Sequence, residues 1–521
     1  MSINNVTINK IGGASMSKPK QVLHLIDVLK KREENVILVV SAFKDVTDAL
    51  IDAMDELNGK DYSESDIDQA FSSVKNLHQV IFDEHFENDY KNQVELFYQQ
   101  EYEKLRTSLI FHKSSSTILM PLEGSFQIRD QVIGFGENMG GGCLNILLSQ
   151  HNHDSESIDN VICQDCDFNG SSISVDRLHK SMQLGIQESL RAASEDMREG
   201  VIRILGGHVS GTPRGIGIDI GRSYSDTSAV NAAIAARNIG DQVKSVRFWK
   251  AVDGVMTADP NDLGENNHPI ILSDVSTTEG LEMASSGNGL MQLDALSLAE
   301  ENDIILELRN IENPEGDSGT TFSNTEIKTN HAFKSINSNP HIDTISINLP
   351  SMANKKGFMS SIADVLSIYN LSVDGIFSEG TSLSFSIPMA KDRSDREIQR
   401  HSIRQALAEL TTITVDQETY KTKETKWSQD AMASISIVGN ELTNNTGILS
   451  VITSVLAAYG IDIKSITHGQ NQKRITVIIP SSQRTLAVQK LHSIFVDADE
   501  EVIRDFREHT ERNIRRLTTT F

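Results

Sequence analysis

Cysteine is scarce: three residues in 521 cannot make a disulfide framework, and a chain this long without one reads as intracellular. Cys163 and Cys166 form a CxxC in VICQDCDF. No second cysteine pair and no histidine at ligand spacing accompany them, so they read as two small residues at a strand end. Basic charge is also short, with 48 Lys and Arg against 72 Asp and Glu and a formal net charge of -24. Without clustered Lys and Arg to displace counterions, a nucleic-acid partner is excluded. The acidic excess is spread along the chain and serves solubility. Long apolar runs are missing too: VILVV at 36–40 falls far below the ~18 residues a membrane span needs. The opening MSINNVTINK has neither a basic start nor a continuous apolar core, so no signal peptide is expected and the expected location is cytoplasmic. No Walker-A GxxxxGK[ST], no GxGxxG, no metal-ligand spacing and no Ser/His/Asp signature stands out. The histidine-rich HNHDSES at 151–157 reads as a solvated loop.

What remains is an ordinary globular composition, 38% hydrophobic and 23% charged. At ~150 residues per domain the length points to about three domains. Up to about residue 320, β-branched runs (NVTINKIG, NVILVVSA, VIRILGG, VKSVRFW, IILELRN) alternate with helical patterns (SKPKQVLHLIDVLKKR, SDTSAVNAAIAARNIG). That alternation predicts an α/β fold, a mainly parallel sheet with helices on both faces. Residues 62–112 instead carry helical spacing throughout and read as an inserted helical subdomain. The polar stretch SNTEIKTNHAFKSINSNPHID reads as a linker with a boundary near 335.

Beyond it the chain repeats itself. GFMSSIADVLSIYNLSVDGI at 357–376 and GILSVITSVLAAYGIDIKSI at 447–466 share 7 of 20 positions without a gap. Each copy reads as strand, loop, helix, strand, strand, helix. Such a unit cannot bury both faces of its own sheet, so two copies are expected to pair, within the chain or across a dimer. The tail VIRDFREHTERNIRRL has acids early and arginines late, as a terminal helix prefers.

Three stretches in the first 320 residues place glycines and charges at strand ends, where open α/β sheets bind ligands. In NKIGGAS, Gly12 and Gly13 can bring backbone amides to an anion and Lys10 can set a cation on a terminal phosphate; the same residues would also serve as a plain turn. In GFGENMGGG, Glu137 stands among glycines at the entry to a helix, where it either receives an ammonium group or favours the helix N-terminus. In GRSYSDTSA, Arg222 offers a fork for a carboxylate or phosphate, and Ser225 or Asp226 could cap the following helix; Asp226 could instead act electrostatically or as a base. Together these groups suit phosphoryl transfer, which is mostly positioning and charge neutralisation.

With these residues in place the chain resembles the aspartokinases of the amino-acid kinase family over nearly its full length. The family's K-F-G-G-T-S corresponds to Lys10, Ile11, Gly12, Gly13, Ala14 and Ser15, and its V-V-S-A with a following V-T to VVSAFKDVTDAL. The resemblance implies Ser41, Thr47, Glu137, Arg222 and Ser225 as substrate contacts, Glu137 holding the substrate amine and Arg222 a carboxylate. It implies Lys10 and Asp226 as catalytic residues and Gly12, Gly13, Ser15, Lys250, Asp253 and Asp259 on the nucleotide side. VDGVMTADP and ELRNIENPEGDSGTTF resemble the family's nucleotide loop and its closing motif. The repeats resemble paired ferredoxin-like ACT domains, with Met352, Gly357, Phe358, Ser372, Val373 and Asp374 implied at an effector site for lysine or threonine.

The implied layout is a catalytic domain at 1–325 with the helical insertion, ACT domains at 340–425 and 430–500, and a C-terminal helix at 501–521. The implied activity is phosphorylation of the L-aspartate 4-carboxylate by ATP with Mg²⁺, under feedback control, in a homodimer or homotetramer held by ACT domains. The sequence departs from the family at Lys250, Ala251, Met256, Asn261 and Gly289, the last standing where the family has a nucleotide-binding lysine. These departures cluster on the nucleotide side and motivate a rival reading, a catalytically weakened ACT-type amino-acid-sensing protein. KIGG and ADPN are also similar to aspartokinases associated with ectoine synthesis.

Overall fold

The structure is a computed structural model. It describes residues 5–32, 35–58, 60–116, 123–158, 161–164, 173–194, 200–221, 223–264, 268–287, 289–325, 333–352, 356–369, 371–390, 393–442, 447–469, 473–497, 508 and 512. Arg222, Cys166 and all but two positions of the expected 501–521 helix lie outside the described residues. Two compact units result, one of residues 1–255, 271–281 and 289–327, the other of 256–270, 282–288 and 328–521.

Up to residue 250 the elements run β1 (Asn5–Ile11), α1 (Gly13–Met16), α2 (Pro19–Lys31), β2 (Asn35–Val40), α3 (Val46–Leu57), α4 (Glu64–Ala70), α5 (Ser72–His85), α6 (Asn88–Ser116), α7 (Glu123–Gln150), β3 (Ser155–Ile158), α8 (Val175–Ser194), β4 (Ile202–Gly206), α9 (Ile216–Asp219), α10 (Tyr224–Asn238) and β5 (Gln242–Lys250). There follow α11 (Pro260–Leu263), β6 (Asp274–Ser276), α12 (Thr277–Ser285), α13 (Leu293–Glu301), β7 (Leu306–Asn310) and β8 (Gly319–Ser323). The first unit's sheet has the order β3-β4-β2-β1-β5-β7-β8-β6, parallel except between β7 and β8. Strand β3 comes partly from the segment read as a solvated loop. Its SESI is polar because it lies at the sheet edge, half-buried, and so carries no β-branched signal.

Alternation along the strands separates two faces. Val36, Leu38 and Val40 of β2 join Ile11, Trp249 and the apolar sides of α2, α3 and α7 in one core cluster. Lys10, next to Ile11, points the other way, toward α10, which packs on β1 and β5 beside α8 and α13. Residues 224 to 236 of α10 are buried on every side; its run of alanines and small polar residues is what lets a helix lie that deep. The helical stretch after α3 begins with a Ser63–Asp66 capping box. Val94, Tyr98, Leu105 and Leu109 of α6 then extend the core of α7.

GFGENMGGG does not open a helix. It lies inside α7, and its glycines answer packing: a Cβ at Gly140 would stand 2.6 Å from the Ser41 carbonyl oxygen. Gly134 and Gly142 are as tightly met, with a Cβ 2.7 Å from His208 and 2.2 Å from Phe97, and tertiary contacts carry the helix through its glycines.

The second unit holds β9 (Ser335–Asn348), α14 (Phe358–Ile368), β10 (Gly375–Glu379), β11 (Ser382–Pro388), α15 (Arg393–Glu409), a β12 (Thr412–Val415) and β13 (Glu418–Lys421) hairpin, β14 (Glu424–Val438), α16 (Ile448–Ala458), β15 (Ser465–His468), β16 (Arg474–Pro480) and α17 (Arg484–His492). Both repeats follow the expected order. Their sheets merge into one, β10-β11-β9-β14-β16-β15, through antiparallel pairing of β9 with β14. The copies therefore pair within the chain. The polar SINSNPHID is strand, not linker, because Ser335 and Asn337 are buried and β14 pairs with residues 335–339.

Gly140→Ala is expected to lower the thermal unfolding midpoint. Overpacking against the Ser41 carbonyl costs about 1–3 kcal/mol, more than the ~1 kcal/mol of helix propensity gained.

Candidate functional site

Four neighbouring parallel strands end together. Lys10 lies near the end of β1, Ser41 follows β2, Gly207 and His208 follow β4, and Lys250 closes β5. Register places Lys10 beside Val39 of β2 and Phe248 of β5. The N-terminus of α10 comes down onto this edge, and each residue of its first turn has a different task.

Asp226 is the most heavily engaged. Its Oδ1 meets Lys10 Nζ at 2.6 Å and its Oδ2 meets Lys250 Nζ at 3.3 Å. The Asp226 and Lys10 side chains are 2% and 6% exposed, so this is a buried charge cluster. Burial alone would push the Asp226 carboxyl up, but Lys10 and then Lys250 hold it below its ordinary range. Burial lowers Lys250 against the opposing pull of Asp226. The Lys250 ammonium also donates to the Leu290 carbonyl. Asp226 is not a cap. Ser223, with φ of 65°, is the N-cap and makes no side-chain cap bond, while Asp226 sits within the first turn, where the helix dipole also favours its charge.

Ser225 turns to β2, its Oγ 2.8 Å from Ser41 Oγ. Tyr224 turns to α7, its hydroxyl facing the Glu137 carboxylate. Glu137 is 3% exposed and its Oε2 has no hydrogen-bond partner among the described residues. Burial raises its carboxyl to about 7, moderated by His208, then Lys10, then Tyr224. Gly207 makes this convergence possible: a Cβ there would lie 2.4 Å from Ser225 Cβ and 2.9 Å from Glu137 Oε2. Gly12 N-caps α1, and a Cβ on it would be 3.7 Å from Lys10 Nζ. Gly13 opens the same short helix, and Ser15 is buried within it.

The structure thus gathers Lys10, Gly12, Ser41, Glu137, Ser225, Asp226 and Lys250. Thr47 lies half-buried in the first turn of α3. Asp253 accepts from Asn310 Nδ2 at 2.7 Å and ties the loop after β5 to β7. Asp259 caps α11, accepting from Asn261 N, and belongs to the second unit. Among the described residues no group of three or more His, Cys, Asp or Glu is placed to hold a metal. Sequence reading missed Tyr224, His208 and Asp130. Tyr224 sits inside the quoted GRSYSD, but nothing linear distinguishes it from a core tyrosine.

In the second unit Gly357, with φ of 93°, precedes α14. The Phe358 ring is in the core, edge-on to Tyr420 at 5.0 Å, which leaves only its main chain at the loop. Met352 ends a 3₁₀ turn, Ser372 is exposed, Val373 is half-buried, and Asp374 is 3.4 Å from Arg474 Nη2.

The family model described as amino acid kinase family matches residues 5–310, and one described as ACT domain matches 435–495. The aspartokinase of Candida albicans is 25% identical over 517 residues, covering 93% of this chain and 89% of that protein. Aspartokinase 2, chloroplastic, of Arabidopsis thaliana is 23% identical over 517 residues, covering 94% and 84%. Among solved structures, E. coli aspartokinase III in complex with aspartate and ADP (R-state) superposes with a TM-score of 0.67 at 18% identity, covering 94% of this chain and 99% of that one. Its complex with lysine and aspartate (T-state) gives 0.66, also at 18% identity. The expected fold, a parallel-rich sheet with helices followed by ACT-type α+β structure, is the fold observed.

Asp226→Asn is expected to cost about 3–5 kcal/mol, because two inward-facing ammonium groups would lose the one carboxylate they are paired with among the described residues. Urea denaturation should show that loss, and a smaller one for Lys10→Met, which leaves Asp226 paired with Lys250.

Proposed function

Because the chain belongs to the amino acid kinase family, whose model accounts for residues 5–310, we propose that it is an aspartate kinase, moving the γ-phosphoryl group of ATP onto the 4-carboxylate of L-aspartate. The observation that carries this reading is the pairing of two opposite charge sites at one sheet edge. One is a buried carboxylate with an open oxygen, Glu137; the other is a pair of lysines converging on Asp226. A zwitterionic amino acid and an anionic phosphate chain need that combination. The aspartokinase names of the relatives and the aspartate and ADP of the E. coli neighbour support the same choice.

In this reading the 4-carboxylate oxygen attacks the γ-phosphorus in line, and the bond to the β-phosphate oxygen breaks to release ADP. The nucleophile is ionised at neutral pH, since its pKa is ~4, so no base is required. Both oxygens of Asp226 are already occupied by lysines; its task is to hold two cations where negative charge accumulates. Lys10 faces the transferred group, with Gly12, Gly13 and Ser15 beside it. Glu137 accepts the substrate ammonium, Arg222 takes a substrate carboxylate, and Ser41, Thr47 and Ser225 complete the amino-acid pocket. Mg²⁺ arrives on the nucleotide and offsets its phosphate charge.

Lys250 bears on the rival reading. The residue at 289 is glycine, yet Lys250 reaches across from β5 to the adjacent Leu290 carbonyl. A cation absent from that loop is thereby supplied from the strand, and Asp253 completes the nucleotide side of this unit in this reading. This favours catalysis over a sensor that no longer binds nucleotide. The second unit is proposed to receive lysine or threonine near Met352, Gly357, Phe358, Ser372, Val373 and Asp374 and to hold the chain in a homodimer or homotetramer. Among the described residues no helix is long and apolar enough to cross a membrane; a cytoplasmic location is part of the proposal.

Purified protein should form an acyl phosphate, trapped as the hydroxamate, from aspartate and MgATP, and lysine or threonine should reduce it. No hydroxamate, with amino-acid binding but no MgATP binding by titration, would select the sensor. Lys250→Ala should raise the KM for MgATP by about tenfold or more, the loss of one charge-assisted contact, with a smaller effect on the KM for aspartate.

A further inference from the structure

The Glu137 pocket contains more ionisable groups than an ammonium site requires. Asp130, Gly134 and Glu137 lie at i, i+4 and i+7 along α7 and so share one helix face. The ring of His208 lies in the notch that Gly134 leaves: a Cβ at 134 would stand 2.7 Å from His208 Nδ1. From there His208 Nε2 is 3.0 Å from Asp130 Oδ1, and the ring also meets Tyr224 edge-on at 6.0 Å. The backbone N–H of Ile216 donates to the same Asp130 oxygen at 2.9 Å. Asp130, Glu137 and His208 are all more than nine-tenths buried.

Resting on the reading of Glu137 as the ammonium receptor, we propose that His208 is a positioning residue whose imidazolium, clasped by Asp130, keeps the buried Glu137 carboxylate charged and ready for the ligand's amine. Charge balance makes the case. With His208 protonated, the two carboxylates and one imidazolium sum to a single negative charge, which one ammonium neutralises. With His208 neutral, two uncompensated carboxylates would share a water-poor pocket, and the cheaper outcome is a proton on Glu137, which then faces an ammonium as a neutral acid.

The remaining surroundings agree. Burial pulls His208 down, but the Asp130 charge and hydrogen bond, then Glu137, raise it overall. The other groups facing Glu137 are Lys10 from β1 and Tyr224 from α10. Tyr224 is held neutral by burial and by Glu137 itself.

The sign follows directly. A carboxyl raised to about 7 is neutral below that pH, so the KM for aspartate should climb as pH falls through 7 and settle above it. In His208→Gln, which keeps a hydrogen-bonding group toward Asp130 but no charge, this acidic limb should move up by about one unit. That makes the KM about fivefold higher at pH 7 and close to tenfold higher at pH 6, converging with wild type at high pH. Asp130→Asn, which keeps the imidazole but removes its counter-ion, should move the limb in the same direction, and stands in if His208→Gln does not fold. The KM for MgATP should be unchanged in both. An unmoved limb, or a KM raised equally at every pH, overturns the proposal. Glu137→Gln separates it from the reading beneath: that variant should abolish the limb. If the limb persists there, the assignment of Glu137 itself fails; if it is abolished but His208→Gln does not shift it, the role of His208 alone fails.

Discussion

One carboxylate, Asp226, organises the kinase-like unit. It is buried at the head of α10 and bridges two lysines that come from the ends of different strands. Bringing three charges out of water is costly unless each is compensated, and the structure compensates them with one another and with the dipole of α10. This requires β1, β5 and α10 to meet at one point. The small-residue surface of α10 and the parallel register of the central strands can be understood as what permits that meeting.

Around this cluster the site divides by charge. On one side stand Lys10, Lys250 and the glycines of the first turn, suited to phosphate; on the other stands Glu137, whose Oε2 has no hydrogen-bond partner among the described residues and is suited to an amine. Ser225 and Tyr224 connect the halves because successive residues of the α10 first turn project in different directions. Gly207 and the α7 glycines serve the same end. They bring backbones within a side chain's radius of each other, so that short groups such as Ser41 and Ser225 can touch. The lysine at 250 puts positive charge at a loop whose own position 289 is glycine, since it reaches the Leu290 carbonyl.

The hydrophobic patterns are enough to recover β1, β2, β4, β5 and β7, the helical insertion and the β-α-β-β-α repeats, because buried strands and amphipathic helices must show their period in the chain. Edge strand β3 and the first half of β9 escape that reading. One is half-solvated, and the other buries serine and asparagine through pairing with β14 that no local pattern encodes. The glycine cluster of α7 misleads for the opposite reason: glycine usually ends a helix, but here it answers close neighbours.

By itself, then, the sequence determined the α/β class, the duplicated second part and the identity of the charged residues near the strand ends, since composition and period are local properties. Only the tertiary structure decided that Asp226 is a clasp for two lysines and not a cap, that Glu137 lies within a helix, and that Asp130, His208 and Tyr224 surround it. Those facts depend on which side chains distant in sequence are forced together as water is excluded, and burial turns such proximity into shifted protonation.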